Sequence, residues 1–223
     1  MNKNIAIDGP AGAGKSTIAK LLAKKLGLVY VDTGAMYRGL AVFFLRKKLS
    51  ADDEKEISRA AAEATVTIKY ENGVQQVYLN GENVTAYLRS EETGKMASAS
   101  SVYQAVRDRL LDLQRDLAAS TPVVMDGRDI GTVVLPDASL KIFLTATVEE
   151  RARRRINELK EKGLEVDGEQ IRKDIAERDE RDMNRPIAPL RQASDAVLLD
   201  SSDMSIEEVV DEIIRLYKEK NPV

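Results

Sequence analysis

The chain has 223 residues, of which 43% are hydrophobic and 32% charged, and its formal net charge is −3. This size and apolar content predict one domain with an ample core, and the charge balance excludes a global signature of nucleic-acid or membrane binding. Cysteine and histidine are absent, which excludes disulfides, thiolate zinc sites, cysteine nucleophiles and histidine general bases. No apolar run is long enough to cross a membrane, so we expect a soluble, cytoplasmic protein.

The first predicted elements alternate between strand and helix. A short buried strand, Ile5–Asp8, precedes a glycine-rich turn and a helix that ends at Gly27. The segment LVYVDTG predicts a second strand, and a helix follows over residues 35–48. Capping-box logic predicts that a third helix begins at Ser50 and runs to about Ala64.

The pattern then changes over residues 63–95. Polar and apolar residues alternate there, and two Asn-Gly pairs, Asn72–Gly73 and Asn80–Gly81, are strong hairpin signals. We therefore assign residues 63–95 to a small antiparallel insertion within the domain. Two helices are predicted after it, the longer one running from Val102 to Ala119.

The second half returns to alternating strands and helices. In order, it predicts a strand ending at Asp126, a strand in LKIFLTA, a basic helix capped by Thr147 and running to about Lys162, a loop in KGLEVDGEQ, a helix over Glu169–Arg185, a strand in DAVLLDSS and a helix from Ser205 to about Glu219. Five hydrophobic strands that alternate with helices predict a doubly wound, five-stranded parallel sheet.

The stretch GPAGAGKST matches the P-loop motif G-x-x-x-x-G-K-[ST] between a predicted strand and a predicted helix. Its glycines let backbone amides surround phosphate oxygens, Lys15 reaches the β- and γ-phosphates of ATP, and the Ser16 hydroxyl can bind Mg²⁺. We predict a three-layer P-loop NTPase fold with ATP as co-substrate. The ATP-binding residues are Gly9, Pro10, Ala11, Gly12, Ala13, Gly14, Lys15, Ser16 and Thr17.

Other motifs narrow the class of P-loop protein. The chain has no D-x-x-G switch, no N-K-x-D and no L-S-G-G-Q, which disfavours GTPases and transporter ATPases and favours a kinase of a small acceptor. Asp32 and Asp126 each end a predicted strand, and the sequence leaves open which one supports Mg²⁺ through water beside Ser16.

Four segments, VDTGAMYR, DGRDIGTVV, PDASLKIFL and ERDERDMNRPIAPL, together resemble bacterial cytidylate kinase, a nucleoside monophosphate kinase. The resemblance covers essentially the whole chain, including the insertion, which it places on the acceptor side. It implies in-line, Mg²⁺-assisted transfer of the ATP γ-phosphoryl group to CMP and dCMP in pyrimidine nucleotide metabolism. It also implies a monomer.

The resemblance implies which residues bind CMP. Arg38 of TGAMYR and Arg128 of DGRD match arginines that contact the CMP phosphate, and Thr33 lies near the same phosphate. Three further matches, at the cytosine ring, are Ser98, Arg107 and Asp129. A carboxylate accepts from the cytosine 4-amino group, whereas uracil has a carbonyl there, so Asp129 predicts CMP and dCMP over UMP.

The charged segment ERDERDMNR supplies the rest of the expected site. Arg178, Asp182 and Arg185 match residues around the acceptor sugar and the transferring phosphates. Four cations are then assigned to catalysis: Lys15, Arg128, Arg178 and Arg185. We expect some arginines to arrive on a mobile lid over residues 155–172.

Helical spacing extends this interpretation to further arginines. On a helical wheel, one stripe holds Arg178, Arg181, Asp182 and Arg185. Arg151 and Arg155, in the preceding helix, also stand one turn apart. Like charges at that spacing are unfavourable without an anion, so both stripes are interpreted as walls that face phosphate.

Two other readings stay open. One is a P-loop kinase acting on UMP, AMP or a metabolite alcohol. The other is a P-loop nucleotide switch or a nucleic-acid-binding module that uses RARRR, residues 151–155. The acidic balance and the low aromatic content of 4% argue against nucleic acid as a partner.

Overall fold

A computed structural model describes residues 3–161 and 163–222. In chain order its elements are β1 (Ile5–Asp8), α1 (Lys15–Leu26), β2 (Val29–Asp32), α2 (Thr33–Arg46), α3 (Glu54–Glu63), β3 (Val66–Glu71), β4 (Val74–Leu79), β5 (Glu82–Asn83), a 3₁₀ turn (Thr85–Tyr87), α4 (Glu91–Ser100), α5 (Gln104–Ser120), β6 (Val123–Gly127), a π-helical turn (Ile130–Val134), β7 (Leu140–Thr145), α6 (Val148–Glu161), α7 (Gly168–Asn184), β8 (Val197–Asp200) and α8 (Ile206–Lys220).

The chain forms two compact units. The first, which we call the P-loop unit, comprises Met1–Tyr30 and Pro122–Val223, and the second, the hairpin unit, comprises Val31–Thr121. None of the helices in the described residues combines the length and apolar character that a membrane span requires.

The five-stranded sheet has the order β2-β6-β1-β7-β8, which confirms the predicted parallel α/β fold. β1 lies at its centre, where Ile5 pairs with Val124 on one side and with Leu140 on the other. All four residues of β1 are buried, as expected for a parallel strand covered on both faces. Ligands bind beyond the carboxyl ends of such strands, which is where the P-loop leaves β1.

The hairpin unit contains the predicted antiparallel piece, a three-stranded sheet ordered β3-β4-β5. Both Asn-Gly pairs form its turns, since Asn72, Gly73, Asn80 and Gly81 all have positive φ angles between 49° and 85°, as tight primed turns require. The hairpin prediction is therefore confirmed by the local backbone.

Several predicted boundaries were displaced by capping residues. Helix α2 begins at Thr33 rather than residue 35 because the Asp32 carboxylate accepts from Ala35 N at 2.9 Å. Helix α3 begins after Asp53, whose carboxylate accepts from Glu56 N at 3.0 Å, so the prediction that it begins at Ser50 is wrong. The predicted end of the basic helix at Lys162 lies outside the described residues.

Candidate active site

The P-loop follows β1 and leads into α1 through glycines with left-handed backbone angles. Gly9, Gly12 and Gly14 have φ angles of 150°, 78° and 85°. A Cβ atom on Gly9 would lie 1.9 Å from the carbonyl oxygen of Leu144, so only glycine fits there. The loop thus presents backbone amides at the N-terminus of α1, a geometry suited to phosphate.

Lys15 lies within this loop and is 94% buried, with a relative exposure of 6%. Its ammonium donates to the carbonyl oxygens of Gly9 and Pro10, both at 2.7 Å. Burial lowers the pKa of Lys15 well below its usual value, and the positive charges of Arg128 and Arg178 lower it further. The charges of Arg128 and Arg178 therefore repel a buried lysine, and an anion would relieve that repulsion.

Asp126, at the end of β6, accepts hydrogen bonds from two side chains. Ser16 Oγ donates to its Oδ2 at 3.0 Å and Tyr30 Oη donates to its Oδ1 at 2.9 Å. The structure thus brings Asp126 to the P-loop serine, whereas the Asp32 carboxylate caps α2. A hydroxyl beside a carboxylate suits Mg²⁺, a hard cation that prefers oxygen ligands and retains water molecules and phosphate oxygens among them. Nowhere in the described part of the chain do three acidic side chains form a metal-binding group.

The DGRD segment at the end of β6 contacts the C-terminal part of α7. Arg128 Nε donates to Asp182 Oδ2 at 2.8 Å, and Arg128 Nη1 donates to the carbonyl oxygen of Gly127 at 3.2 Å. Burial alone would raise the pKa of Asp182, but the charges of Arg128, Arg178 and Arg185 outweigh it and hold that pKa below its usual value. Four of the predicted site residues thus form one electrostatic cluster.

Asp129 and Arg185 form a second buried contact in the same unit. Asp129 Oδ1 lies 3.5 Å from Arg185 Nη2, and the side chains are 6% and 4% exposed. Arg185 Nε also donates to the carbonyl oxygen of Ala188 at 2.7 Å. This anchors the guanidinium beyond the end of α7 and beside the DGRD carboxylate.

Asp8 is a buried carboxylate directly before the P-loop that sequence reasoning did not single out. Asp8 is the last residue of β1, and its carboxylate accepts hydrogen bonds from the backbone amides of Ile130 and Gly131, both at 2.7 Å. Burial raises its pKa to about 6 and Asp129 adds to the rise, while the two amide hydrogen bonds and Lys15 oppose it. An acidic residue at the end of an apolar strand, directly before the P-loop, was the available signal. Asp8 holds the start of the π-helical turn that follows DGRD.

In the hairpin unit, the predicted CMP residues lie on α2, α4 and α5. Thr33 is buried in the first turn of α2, and Ser98 is buried on α4. Arg107 is buried as well, with its guanidinium 5.7 Å from the centre of the Tyr37 ring and a hydrogen bond of 3.3 Å to the carbonyl oxygen of Ser101. Arg107 is therefore not an exposed helix residue, and it has the burial expected of a binding residue.

The two predicted arginine stripes differ in their surroundings. Arg178 is half-buried, whereas Arg181 is exposed. In the second stripe, Arg151 is buried against Asp179 at 2.6 Å, and Arg155 pairs with Glu158 on the surface. Both guanidinium groups of that stripe are held by carboxylates of the protein itself.

Comparison with known proteins identifies the family of the chain. The sequence model of the family described as "Cytidylate kinase" matches residues 5–219. The chain is 52% identical over 214 residues to the protein named cytidylate kinase of Caldicellulosiruptor bescii, covering 96% of this chain and 95% of that protein. It is 49% identical over 219 residues to that of Desulfitobacterium hafniense, covering 98% and 94%. An uncharacterized protein from Eubacterium ventriosum has a similar fold, with a TM-score of 0.56 at 12% identity over 96% of this chain and 97% of that one.

Proposed function

The chain belongs to the cytidylate kinase family, and we propose that the residues described above carry out its reaction at the P-loop. It transfers the γ-phosphoryl group of ATP to the 5′-phosphate of CMP, giving CDP and ADP. The observation that carries the assignment of residues is Lys15, which is buried in the P-loop, donates to the carbonyl oxygens of Gly9 and Pro10, and is repelled by the charges of Arg128 and Arg178. These positive charges are complementary to the charge of a transferring phosphoryl group.

ATP binding would exchange internal contacts of the P-loop for contacts with phosphate. Lys15 leaves the carbonyl oxygens of Gly9 and Pro10, which accept from it in the free protein, and binds phosphate oxygens instead. The negative charge of the phosphates relieves its repulsion from Arg128 and Arg178. The acceptor oxygen of CMP is already anionic, so positioning and electrostatics suffice and no general base is required.

Ser16 and Asp126 are the residues that would hold Mg²⁺. The ion, when bound, neutralises part of the charge on the β- and γ-phosphates. Asp126 supports it through its contact with Ser16, and Tyr30 orients the carboxylate through the hydrogen bond to its other oxygen.

Nine residues are assigned to CMP. Thr33, Arg38 and Arg128 are assigned to its phosphate, and Ser98 and Arg107 to its base. Arg178, Asp182 and Arg185 act at the sugar and the transferring phosphates. The Asp129 carboxylate accepts from the cytosine 4-amino group, and its contact with Arg185 keeps it oriented. Because dCMP carries the same base and phosphate, we expect it to be phosphorylated as well.

We further propose a monomeric, cytoplasmic enzyme with a lid over residues 155–172. In support of a lid, α6 and α7 are joined by a short connection that contains Gly163, with a φ of 74°, and Leu164, which is 53% exposed. A glycine turn beside an exposed apolar side chain supports a lid that closes when phosphates bind.

A coupled assay of ADP release, with ATP, Mg²⁺ and each nucleoside monophosphate in turn, tests the assignment. We expect CMP and dCMP to give the highest kcat/KM, because the Asp129 carboxylate accepts a hydrogen bond that the cytosine 4-amino group can donate and the uracil carbonyl cannot. Higher activity with UMP or AMP would overturn the assignment of the base.

Two variants, Asp129→Ala and Asp129→Asn, test the proposed contact with the base. Asp112→Ala, on the exposed face of α5, is the control. Loss of the carboxylate should lower kcat/KM for CMP by about ten- to a hundredfold. The asparagine amide can donate to the uracil carbonyl, so Asp129→Asn should also narrow the preference for CMP over UMP. An Asp129→Ala enzyme with wild-type activity on CMP would rule out the proposed contact.

A further inference from the structure

A glutamine of the hairpin holds the backbone of Asp32 at two points. Gln75 Oε1 accepts from Asp32 N at 2.9 Å, and Gln75 Nε2 donates to Asp32 O at 3.0 Å. The side-chain amide therefore satisfies both polar groups of one backbone residue, as a neighbouring strand would. The two residues are 43 positions apart in sequence, so this contact forms only in the folded unit.

The strand β4 presents Gln75 towards α2. Residues two positions apart lie on the same face of a strand, and Val77 and Leu79 on this face are buried. A Cβ atom on Gly39 of α2 would lie 2.9 Å from Val77 Cγ1, so helix and strand are in close contact. Gln76 lies on the opposite face, where its Oε1 accepts from Asn83 Nδ2 at 3.3 Å.

Asp32 in turn controls the start of α2. Its carboxylate caps the helix by accepting from Ala35 N at 2.9 Å. A Cβ atom on Gly34 would lie 3.2 Å from Asp32 Oδ1 and 3.3 Å from Arg38 Nη1, so the carboxylate and the guanidinium flank the same backbone. A shift of Asp32 would therefore move Thr33 directly and Arg38 through the first turns of the helix.

We propose that Gln75 is a positioning residue for the acceptor phosphate, through which the inserted hairpin fixes the junction between β2 and α2. The inference rests on the proposed assignment of Thr33 and Arg38 to the phosphate of CMP. It gives the hairpin insertion a role in the reaction although Gln75 itself need not touch substrate. Since a misplacement of about 1 Å is sufficient to impair phosphoryl transfer, two well-placed hydrogen bonds have a measurable effect.

The test compares Gln75→Ala with Gln76→Ala, which changes the same residue type on the same strand but on the other face. Gln75→Ala should raise the KM for CMP about tenfold, which corresponds to about 1.4 kcal/mol, with the KM for ATP unchanged. Gln76→Ala should leave both constants at their wild-type values. Gln75→Glu keeps the side-chain volume but sets an oxygen against Asp32 O, so its KM for CMP should rise at least as much.

Three outcomes would overturn the inference. One is a Gln75→Ala enzyme that matches Gln76→Ala, another is a Gln75→Glu enzyme with a wild-type KM for CMP, and the third is an equal rise in the KM for ATP together with a lower unfolding temperature. The last result would indicate a general loosening of the folded structure rather than a misplaced acceptor site.

A double-mutant cycle with Arg38→Ala separates this inference from the assignment on which it rests. If Gln75 acts through Arg38, the combined loss should be smaller than the sum of the two single losses, because the residues are coupled. Strict additivity would count against the coupling. If Arg38→Ala leaves the KM for CMP unchanged, the assignment of Arg38 itself fails. If Arg38→Ala raises it and Gln75→Ala does not, only the role of Gln75 fails.

Discussion

The buried ion pair between α6 and α7 makes a quantitative prediction for stability. Arg151 Nη1 lies 2.6 Å from Asp179 Oδ2, and the side chains are 5% and 10% exposed. Arg151 Nε also donates to the carbonyl oxygen of Ala146 at 2.9 Å, and its Nη1 donates to that of Ala11 in the P-loop at 3.0 Å. Replacing Asp179 with alanine removes the carboxylate and leaves the guanidinium buried among neutral carbonyl groups.

The expected loss follows from the desolvation of that charge. Removing one partner of a buried ion pair costs about 3–5 kcal/mol, because the remaining charge has lost its water without keeping its counter-charge. For a chain of this length, each kcal/mol lowers the unfolding temperature by roughly 2–4 °C. Asp179→Ala should therefore unfold about 6–20 °C below the wild type.

The same helix offers a control. Arg155 Nη1 lies 2.7 Å from Glu158, but both side chains are 48% exposed, so Glu158→Ala should cost less than about 1 kcal/mol. Thermal unfolding followed by circular dichroism measures both variants under one condition. A double variant, Arg151→Met with Asp179→Leu, should recover part of the loss, since no uncompensated charge remains. The argument is refuted if Asp179→Ala unfolds at the same temperature as Glu158→Ala.

Two more predictions concern residues at the start of the P-loop. Burial raises the pKa of Asp8 from 3.8 to about 6. Between those pH values the folded state keeps a proton that the unfolded state has released. The free energy of unfolding of the wild type should therefore fall by about 3 kcal/mol as the pH rises across that window. Asp8→Asn cannot titrate, so its unfolding free energy relative to wild type should rise by that amount from pH 4 to pH 7 in urea titrations; a constant difference would contradict this. Gly9→Ala should lower kcat/KM for ATP at least a hundredfold, because its Cβ would lie 1.9 Å from Leu144 O and the loop must shift. A normal KM for ATP in that variant would show that the loop tolerates the side chain.

The functional class could be predicted from the sequence because the motifs that indicate it are short and continuous in the chain. The P-loop is nine consecutive residues between a strand and a helix, and each Asn-Gly turn is two residues with their own backbone preference. The alternation of apolar strands with helices was sufficient for the parallel sheet, since each element carries its own periodicity. Boundaries were less accurate where a neighbouring carboxylate, such as Asp32 or Asp53, competed for the capping position.

Only the tertiary structure decided how residues distant in sequence meet. The choice of Asp126 as the carboxylate beside the P-loop serine depends on a contact 110 positions apart, and the contact of Asp8 with Ile130 spans 122. The buried contact between Arg151 and Asp179 could not be predicted from the sequence. A helical wheel shows on which face of a helix a residue lies, but not which residues of another helix pack against that face. Sequence by itself determined the class of chemistry that this chain carries, and the packing of β1, β6, α6 and α7 determined which charged side chains lie beside the P-loop and which pair with each other.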